Sequence, residues 1–169
     1  GAPFDFYLMK DFVSQAKKLP DYKMYIFLNA WRMDAATRAA IAAKVRKNNA
    51  VAVWNYAPGY IDADSKDRFS LDSMNALTGF TFTAQNITGA QAFQWKNKSH
   101  PISRFAADPI ISQTVGVTFG VTNADKVLAT TASGSGALAV KGLKNWRSVY
   151  SEIPLTSELL LGLCDYAGV

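Results

Sequence analysis

The sequence predicts an α/β fold in which a parallel sheet is covered by helices on both faces and is extended by a partly antiparallel sheet. Strand-like and helix-like segments alternate through the first half, which is typical of parallel strands joined by helices. The strand-like segments 22–30 and 50–56 are apolar at most positions, so both of their faces need cover. In the second half, short strand-like runs are separated by Gly, Asn and Ser, which favours hairpins.

The helices predicted in the first half carry recognisable end signals. Asp34 and Ser70 are residue types that cap helix N-termini, because their side-chain oxygens accept hydrogen bonds from free backbone N–H groups. Gly79 suits the left-handed conformation that ends a helix. The predicted elements are a strand at 4–9, a helix at 10–18, a strand at 22–30, a helix at 35–49, a strand at 50–56, a helix at 70–79 and a strand at 80–84.

The second half is predicted to be mainly β, with a closing helix. The predicted elements are strand-like runs at 115–122, 126–132, 136–143 and 146–152, and a helix at 156–168. Segment 132–137 is Gly- and Ser-rich, but no helix follows it, so a hairpin is favoured over a phosphate-binding loop. Leu160, Leu163, Cys164 and Ala167 fall on one face of the helix and are predicted to pack into the core.

The net charge admits nucleic acid as a partner, but the distribution of the basic residues argues against it. The chain has 169 residues, of which 49% are hydrophobic, and this suits a single domain over residues 1–169. The net charge is +5, but the densest basic group (Lys44, Arg46 and Lys47) falls at a helix end, where cations suit the helix dipole. We therefore predict no nucleic-acid partner. No apolar run is long enough to cross a membrane and no secretory signal is recognisable, so no membrane partner is predicted and the compartment stays undetermined.

No group of residues nominates a catalytic or metal site. Cys164 and His100 are the single Cys and the single His, which excludes an internal disulfide and Cys-based zinc clusters. The acidic loop of Asp62, Asp64 and Asp67 resembles the start of a calcium loop, but its sixth and twelfth positions lack the required Gly and Glu. We therefore predict no metal, no cofactor and no catalytic residue. A weaker alternative is an enzyme that acts through His100 and the acidic loop.

Three aromatic residues are candidates for ligand or interface contacts. Trp31, Tyr56 and Tyr60 each follow the carboxyl end of a predicted parallel strand. Ligand crevices of open α/β sheets form at that edge. Aromatic side chains at this position could stack on a sugar ring, or they could pack in a protein interface. Both alternatives are consistent with the sequence.

The segment "VAVWNYAPGYID" (51–62), a strand followed by a sharp turn, carries a resemblance to a known fold. Together with "YIFLNAWRMD", it resembles the class I glutamine amidotransferase-like fold, a flavodoxin-like sandwich. Active members of that group have G-x-C-x-G at the turn. Here Asn55 and Gly59 bracket the motif and Ala57 takes the Cys position, while "LNAW" lacks the glycines of the oxyanion loop. The resemblance implies a vestigial nucleophile position at Ala57.

A closer resemblance is to the β-galactosidase trimerisation domain of family 42 glycoside hydrolases and related bacterial proteins. The segments that carry it are "LPDYKMYIFLNAWRMD", "AVAVWNYAPGYID", "LDSMNALTGF" and "ALAVKGLKNWRSVYSEIPLTSELLLGLCDYAGV". It implies a non-catalytic module that contributes to oligomer contacts beside a TIM-barrel domain. No catalytic residue transfers, because the domain has none in that family.

From these observations we predict an assembly domain of a glycoside hydrolase-like protein, forming a homo-oligomer and lying downstream of a TIM barrel. The alternative is a carbohydrate- or ligand-binding module that uses Trp31, Tyr56 and Tyr60. Because a strand at 4–9 would correspond to an edge strand of the fold, the chain is also expected to be a fragment that lacks the first strand and helix.

Overall fold

The computed structural model describes residues 3–107, 110–113 and 116–169. The helices within these ranges are α1 Met9–Gln15, α2 Ala35–Val45, α3 Leu71–Thr78 and α4 Ser157–Ala167. The strands are β1 Met24–Phe27, β2 Arg32–Met33, β3 Ala50–Asn55, β4 Ile61–Asp62, β5 Phe82–Ile87, β6 Ala90–Trp95, β7 Ile110–Gln113, β8 Gly116–Val121, β9 Lys126–Thr130, β10 Gly136–Leu143 and β11 Trp146–Ser151. Over the described ranges, no helix has the length and apolar character needed to cross a membrane.

The main sheet has a parallel part and an antiparallel part. Strands β1, β3 and β11 lie side by side and run parallel, with Phe27 opposite Trp54 and Trp54 opposite Tyr150. From β11 the sheet continues through β10, β9, β6 and β7, and each of these pairs is antiparallel. Strands β5 and β8 form a further antiparallel pair, which joins the sheet where β8 meets β10. The predicted α/β sandwich with a partly antiparallel extension is therefore confirmed.

Strand β3 shows why both faces of the parallel part are covered. Successive side chains of a strand point to opposite faces. Ala50, Ala52 and Trp54 belong to a core cluster on one face, together with residues of α1, α2 and α3. Val51 and Val53 belong to a second cluster on the other face, where α4 packs. All five side chains are buried, as expected for a central parallel strand.

The helix ends form through the predicted caps. The Asp34 carboxylate accepts a hydrogen bond from the backbone N–H of Thr37 at 2.7 Å and so caps α2. The Ser70 hydroxyl accepts from the N–H of Ser73 at 3.1 Å and caps α3. Gly79 ends α3 with a φ of +81°, in the left-handed region that glycine adopts without steric cost. These end signals were readable in the sequence and are confirmed.

The densest basic group is used inside the domain. Lys44 and Lys47 both form ion pairs with Asp21, at 2.8 and 3.0 Å. The guanidinium of Arg46 donates to the carbonyl of Leu77 at 2.9 Å, at the last turn of α3. These contacts tie α2 to the segment before β1 and to α3, so this group has a structural role.

In the second half, β10 has the predicted bounds, and β9 and β10 form the predicted hairpin. The turn between them is closed by a hydrogen bond from Thr131 N to Ser135 O at 2.9 Å. The strand predicted at 115–122 corresponds to β8, although its first residue, Val115, lies outside the described residues. Strands β6 and β7 have no counterpart among the predicted elements.

The structure corrects the prediction for residues 4–9. Residues 4–8 belong to no strand, and Met9 begins α1. Phe4, Phe6 and Leu8 alternate along the chain as a strand would require, but they are exposed. The carboxylate of Asp5 accepts from the Tyr22 hydroxyl at 2.6 Å, so side-chain contacts hold this segment where strand pairing was expected.

The predicted inner face of α4 is also partly wrong. Leu163 and Ala167 are buried as expected, but Cys164 is only partly buried. Leu159 and Gly162 complete the buried face. The face that packs on the sheet is therefore rotated relative to the predicted one, and the thiol lies at its border.

Candidate functional site

The candidate site lies at the carboxyl ends of the three parallel strands. Strands β1, β3 and β11 end there, and the chain continues into loops. The loops after β1 and β3 are joined by hydrogen bonds from Gly59 N to Ala30 O at 2.9 Å and from Ile61 N to Trp31 O at 2.8 Å. The parallel pairing of β2 with β4 continues this contact. Trp31 is thereby held next to the turn that follows β3.

Five aromatic rings form a connected row at this edge, which we call the aromatic surface. The ring of Trp31 lies 5.5 Å from that of Tyr56, and Tyr56 lies 5.4 Å from Phe119 of β8. The Tyr60 ring contacts Phe119 at 4.8 Å and stacks on Phe69 at 5.3 Å with an interplanar angle of 28°. The structure therefore brings the three predicted residues together, and it adds Phe69 and Phe119, which the sequence analysis did not single out.

The aromatic surface is buried at its centre and exposed at its ends. Phe119 is 1% exposed, whereas Trp31 is 40% exposed and Phe69 is 63% exposed. Edge-to-face contacts between the inner rings fix their orientation, so the outer rings are presented on a packed base. Such a surface can stack on an apolar or planar partner with a small loss of side-chain entropy.

The turn after β3 has a strained backbone at Tyr56. Its φ is +64°, in the left-handed region that is uncommon for residues other than glycine. The hydroxyl of Tyr56 donates to the carbonyl of Val117 in β8, and its backbone N–H donates to Ser151 O at 2.9 Å. Ala57, the predicted vestigial nucleophile position, follows directly and is 3% exposed. Its methyl group can supply no nucleophile, and the left-handed residue is the one before it.

A buried carboxyl group lies beneath the aromatic surface. Glu152 directly follows β11 and is 7% exposed. Its Oε2 lies 2.6 Å from the Tyr150 hydroxyl, and its Oε1 accepts from the Thr118 hydroxyl at 2.8 Å and from Phe119 N at 3.4 Å. The Tyr150 hydroxyl in turn donates to the carbonyl of Tyr56 at 3.0 Å. Glu152 therefore connects β11, β8 and the turn after β3.

Burial shifts the acid–base properties of these groups. Desolvation raises the pKa of Glu152, although hydrogen bonds from Tyr150, Thr118 and Phe119 act in the opposite direction. Desolvation also raises the pKa of Tyr150, and the nearby carboxyl of Glu152 raises it further. The pKa of Tyr56 is raised by burial first and then by the proximity of Glu152 and Tyr60.

Sequence reasoning missed Glu152 because no local motif marks it. A signal was nevertheless present. Tyr150 and Glu152 are two positions apart and therefore lie on the same side of an extended chain, at the end of β11. A Glu so placed is a candidate for burial.

The acidic loop is occupied by contacts within the protein. Asp62 accepts from Asp64 N at 3.0 Å and from the Ser73 hydroxyl at 2.9 Å, and it forms an ion pair with Arg38 at 3.3 Å. Asp64 accepts from the backbone N–H of Ala35, the first residue of α2, at 2.6 Å. In the part of the chain that the structure describes, no group of three or more His, Cys, Asp or Glu residues could hold a metal ion.

His100 lies on the other side of the sheet from the acidic loop. Its ring is 5.3 Å from that of Tyr166 in α4, and its Nδ1 accepts from Ile102 N at 3.3 Å. Burial, followed by the proximity of Lys126, lowers the pKa of His100. Asp62 instead contacts α2 and α3 through Arg38 and Ser73. The structure therefore does not bring together the His and the carboxylates of the weaker enzymatic alternative.

Comparison with known proteins identifies the fold but no sequence family. No family profile and no sequence of a characterised protein matches the chain. Among solved structures, the β-galactosidase from Bacillus circulans sp. alkalophilus is similar, with a TM-score of 0.65 and 14% identity over 88% of this chain. The β-galactosidase from Rahnella sp. R3 is similar with a TM-score of 0.63 and 12% identity over 87% of this chain.

A ThuA-like protein from Bacteroides uniformis matches 92% of this chain and 72% of its own, with a TM-score of 0.54 and 18% identity. These matches confirm the predicted class I glutamine amidotransferase-like fold. In contrast, the chain spans only 23% of the length of the two β-galactosidases. Its fold therefore corresponds to a part of those enzymes.

Proposed function

We propose that this chain is a non-catalytic assembly domain of a glycoside hydrolase-like protein, lying beside a TIM-barrel domain and contributing contacts between copies. The observation that carries the proposal is its likeness in fold to a part of two β-galactosidases that accounts for 23% of each. At 12–14% identity this likeness concerns the fold, so the assembly role itself is inferred.

The chemistry at the carboxyl edge supports a role without catalysis. Ala57 stands where the resemblance to amidotransferases places a nucleophile, and its side chain has no reactive atom. The carboxylate of Asp62 is engaged by Arg38 and Ser73, and Glu152 is engaged by Tyr150 and Thr118. These groups stabilise the loops and the sheet, and none is presented to a substrate.

The aromatic surface is the proposed contact between copies. Trp31 and Phe69 expose large rings on a rigid base, and aromatic residues are enriched in protein interfaces. Strand β1 supports a wider role in assembly. It is at one end of the strand order among the described residues, so its outer backbone groups are open to a further strand. The proposal includes a first strand and helix upstream that would cover this edge.

Sedimentation velocity of the chain over a wide concentration range tests the proposal. We expect the sedimentation coefficient to rise with concentration. The double variant Trp31→Ala, Phe69→Ala should weaken association at least about tenfold, because it removes the two exposed rings. Phe105→Ala is the matched control, since Phe105 is also an exposed aromatic residue but lies outside the aromatic surface. A chain that stays monomeric throughout, or a control as damaging as the double variant, contradicts the proposal.

The alternative function is carbohydrate binding by the same surface. The exposure of the Trp31 ring favours it, because indole rings stack on the apolar face of sugars. Titration with galactose and with a galacto-oligosaccharide, followed by tryptophan fluorescence, distinguishes the two functions. Saturable quenching that is lost in Trp31→Ala and kept in Trp95→Phe would favour the alternative. Flat titrations together with concentration-dependent association would favour assembly.

A further inference from the structure

The hydroxyl group of Tyr150 has more acceptor oxygens within hydrogen-bond distance than it has protons to donate. The hydroxyl oxygen lies 2.6 Å from Glu152 Oε2, 3.0 Å from the carbonyl oxygen of Tyr56 and 3.4 Å from that of Phe119. A carbonyl and a carboxylate oxygen can only accept, and the tyrosine hydroxyl has one proton. If Glu152 were ionised, that single proton would have to serve all of these acceptors, and the 2.6 and 3.0 Å contacts could not each have a hydrogen of their own.

A protonated Glu152 resolves this arrangement. The Oε2 hydroxyl then donates to the Tyr150 oxygen, and the Tyr150 hydroxyl donates to the Tyr56 carbonyl. Oε1 remains an acceptor for the Thr118 hydroxyl and Phe119 N. Each of the shorter contacts then has one donor and one acceptor, as expected for buried polar groups, and only the 3.4 Å approach of the Tyr150 hydroxyl to the Phe119 carbonyl has no hydrogen of its own.

We propose that Glu152 is uncharged in the folded domain and acts as a proton-dependent positioning residue for the aromatic surface. The neutral carboxyl holds two of the five rings through their main chains. It accepts from Phe119 N directly, and it reaches the Tyr56 carbonyl through Tyr150. This inference concerns the folded domain alone and stands whether or not the proposed function is correct.

The residues described around Glu152 contact it through hydroxyl and main-chain groups. Strand β8 presents Thr118 and the main chain of Phe119, the turn after β3 presents Tyr56, and β11 presents Tyr150. The backbone N–H of Glu152 donates to the carbonyl oxygen of Ala137 in β10. Within the described ranges, no Lys, Arg or His forms an ion pair with Glu152. Burial raises the pKa of this carboxyl, which agrees with the protonated state inferred from the hydrogen bonds around Tyr150.

Ionisation should loosen the site. The charge would form in the interior without a cation, and the Tyr150 proton would be drawn to the carboxylate. The Tyr56 carbonyl would then lose its donor at the strained turn. Since the folded pKa lies above the unfolded value of about 4.3, the stabilisation is complete below that value and is lost as pH rises through the folded pKa.

The variant Glu152→Gln tests the proposal, because the amide is uncharged like the protonated carboxyl, its oxygen can accept from Thr118 and Phe119, and one of its two N–H groups can donate to the Tyr150 oxygen. We expect its melting temperature to be at least equal to that of the native domain at neutral pH. As the pH is raised, the melting temperature of the variant should exceed that of the native domain by a growing margin. Glu158→Gln is the matched control. Hydrogen bonds from its own backbone N–H and then from the Thr156 hydroxyl lower the pKa of Glu158. This control should therefore lose stability relative to the native domain, and the loss should shrink as pH falls.

Two measurements on the native domain keep the test decisive if Glu152→Gln does not fold. The carboxyl-carbon NMR signal of Glu152, assigned through bonds, should titrate well above the range of a free Glu. Amide hydrogen exchange at Phe119, corrected for its intrinsic pH dependence, should accelerate over the same pH range. A Glu152 carboxyl that is already ionised at neutral pH would overturn the proposal, as would a Glu152→Gln variant whose deficit at neutral pH disappears on acidification.

Discussion

Trp54 of β3 and Ser148 of β11 lie on neighbouring parallel strands, two positions out of register, and the indole Nε1 donates to the Ser148 hydroxyl oxygen at 2.9 Å. Both residues are fully buried. The same hydroxyl donates to the carbonyl of Thr78, at the end of α3, at 2.7 Å. One small side chain therefore satisfies a donor in the sheet and an acceptor in the helix layer.

Ser148→Ala should destabilise the domain by about 1–3 kcal/mol, because it leaves a buried indole N–H and a buried carbonyl without partners. The free energy of unfolding, measured by denaturant titration, checks this. Ser157→Ala, at an exposed position of α4, is the control and should change the free energy by less than about 0.5 kcal/mol. If Ser148→Ala behaved like the control, the hydroxyl would not be serving both groups.

Gly162→Ala should also be destabilising, although alanine is the better helix former. A Cβ at Gly162 would lie 2.1 Å from the carbonyl oxygen of Ile102, so α4 or the 100–106 turn would have to move. Overpacking of this kind costs about 1–3 kcal/mol. That exceeds the gain of about 0.5–1 kcal/mol from replacing glycine inside a helix. Thermal unfolding compares it with Leu161→Ala, an exposed position on the same helix. A stabilised Gly162→Ala variant would show that the two backbones do not approach so closely.

The rotated inner face of α4 predicts unequal effects at neighbouring positions. Leu163→Ala should cost about 2–5 kcal/mol, because a fully buried side chain leaves a cavity. Cys164→Ala should cost much less, and a thiol reagent should modify Cys164 in the native protein, since its side chain is partly exposed. Equal losses of unfolding free energy at the two positions, or a thiol that reacts only after unfolding, would show that Cys164 lies on the buried face, as predicted from the sequence.

Asp62→Asn should make stability less dependent on pH in the acid range. Hydrogen bonds from Asp64 N and the Ser73 hydroxyl, and then the Arg38 contact, lower the pKa of Asp62. The stabilisation is therefore present above the unfolded value of about 3.9 and is lost as pH falls through the lower folded pKa. Melting temperatures of native and variant protein should converge on acidification. Asp67→Asn, in an exposed part of the same loop, is the matched control.

The parts of the fold that could be predicted are those with a local physical signal. Caps such as Asp34 and Ser70 act within three residues, and the apolar run of β3 reports burial on both faces. The convergence of Trp31, Tyr56 and Tyr60 followed from the parallel order of the strands. Their function as ligand or interface contacts stays a prediction.

The errors arose where a pattern depends on distant partners. Residues 4–8 have the alternation of a strand, but a strand needs a neighbour to accept its hydrogen bonds, and these residues pair with none among those described. Glu152 reads as an ordinary polar residue after a strand, and only its contacts with β8 show that it is buried. The left-handed backbone of Tyr56 was missed because it occurs at a residue type that rarely adopts it.

The pairing of β11 with β3 has a consequence for how the domain is made. All of residues 56–145 lie between these neighbouring strands, so β3 cannot complete its pairing until the chain has been synthesised almost to α4. Until then, one edge of a strand that is apolar at five of its six positions is open to other nascent chains. Such long-range closure slows folding. Yield in cells should therefore respond to chaperone supply and growth temperature more strongly than the equilibrium stability of the finished domain would suggest.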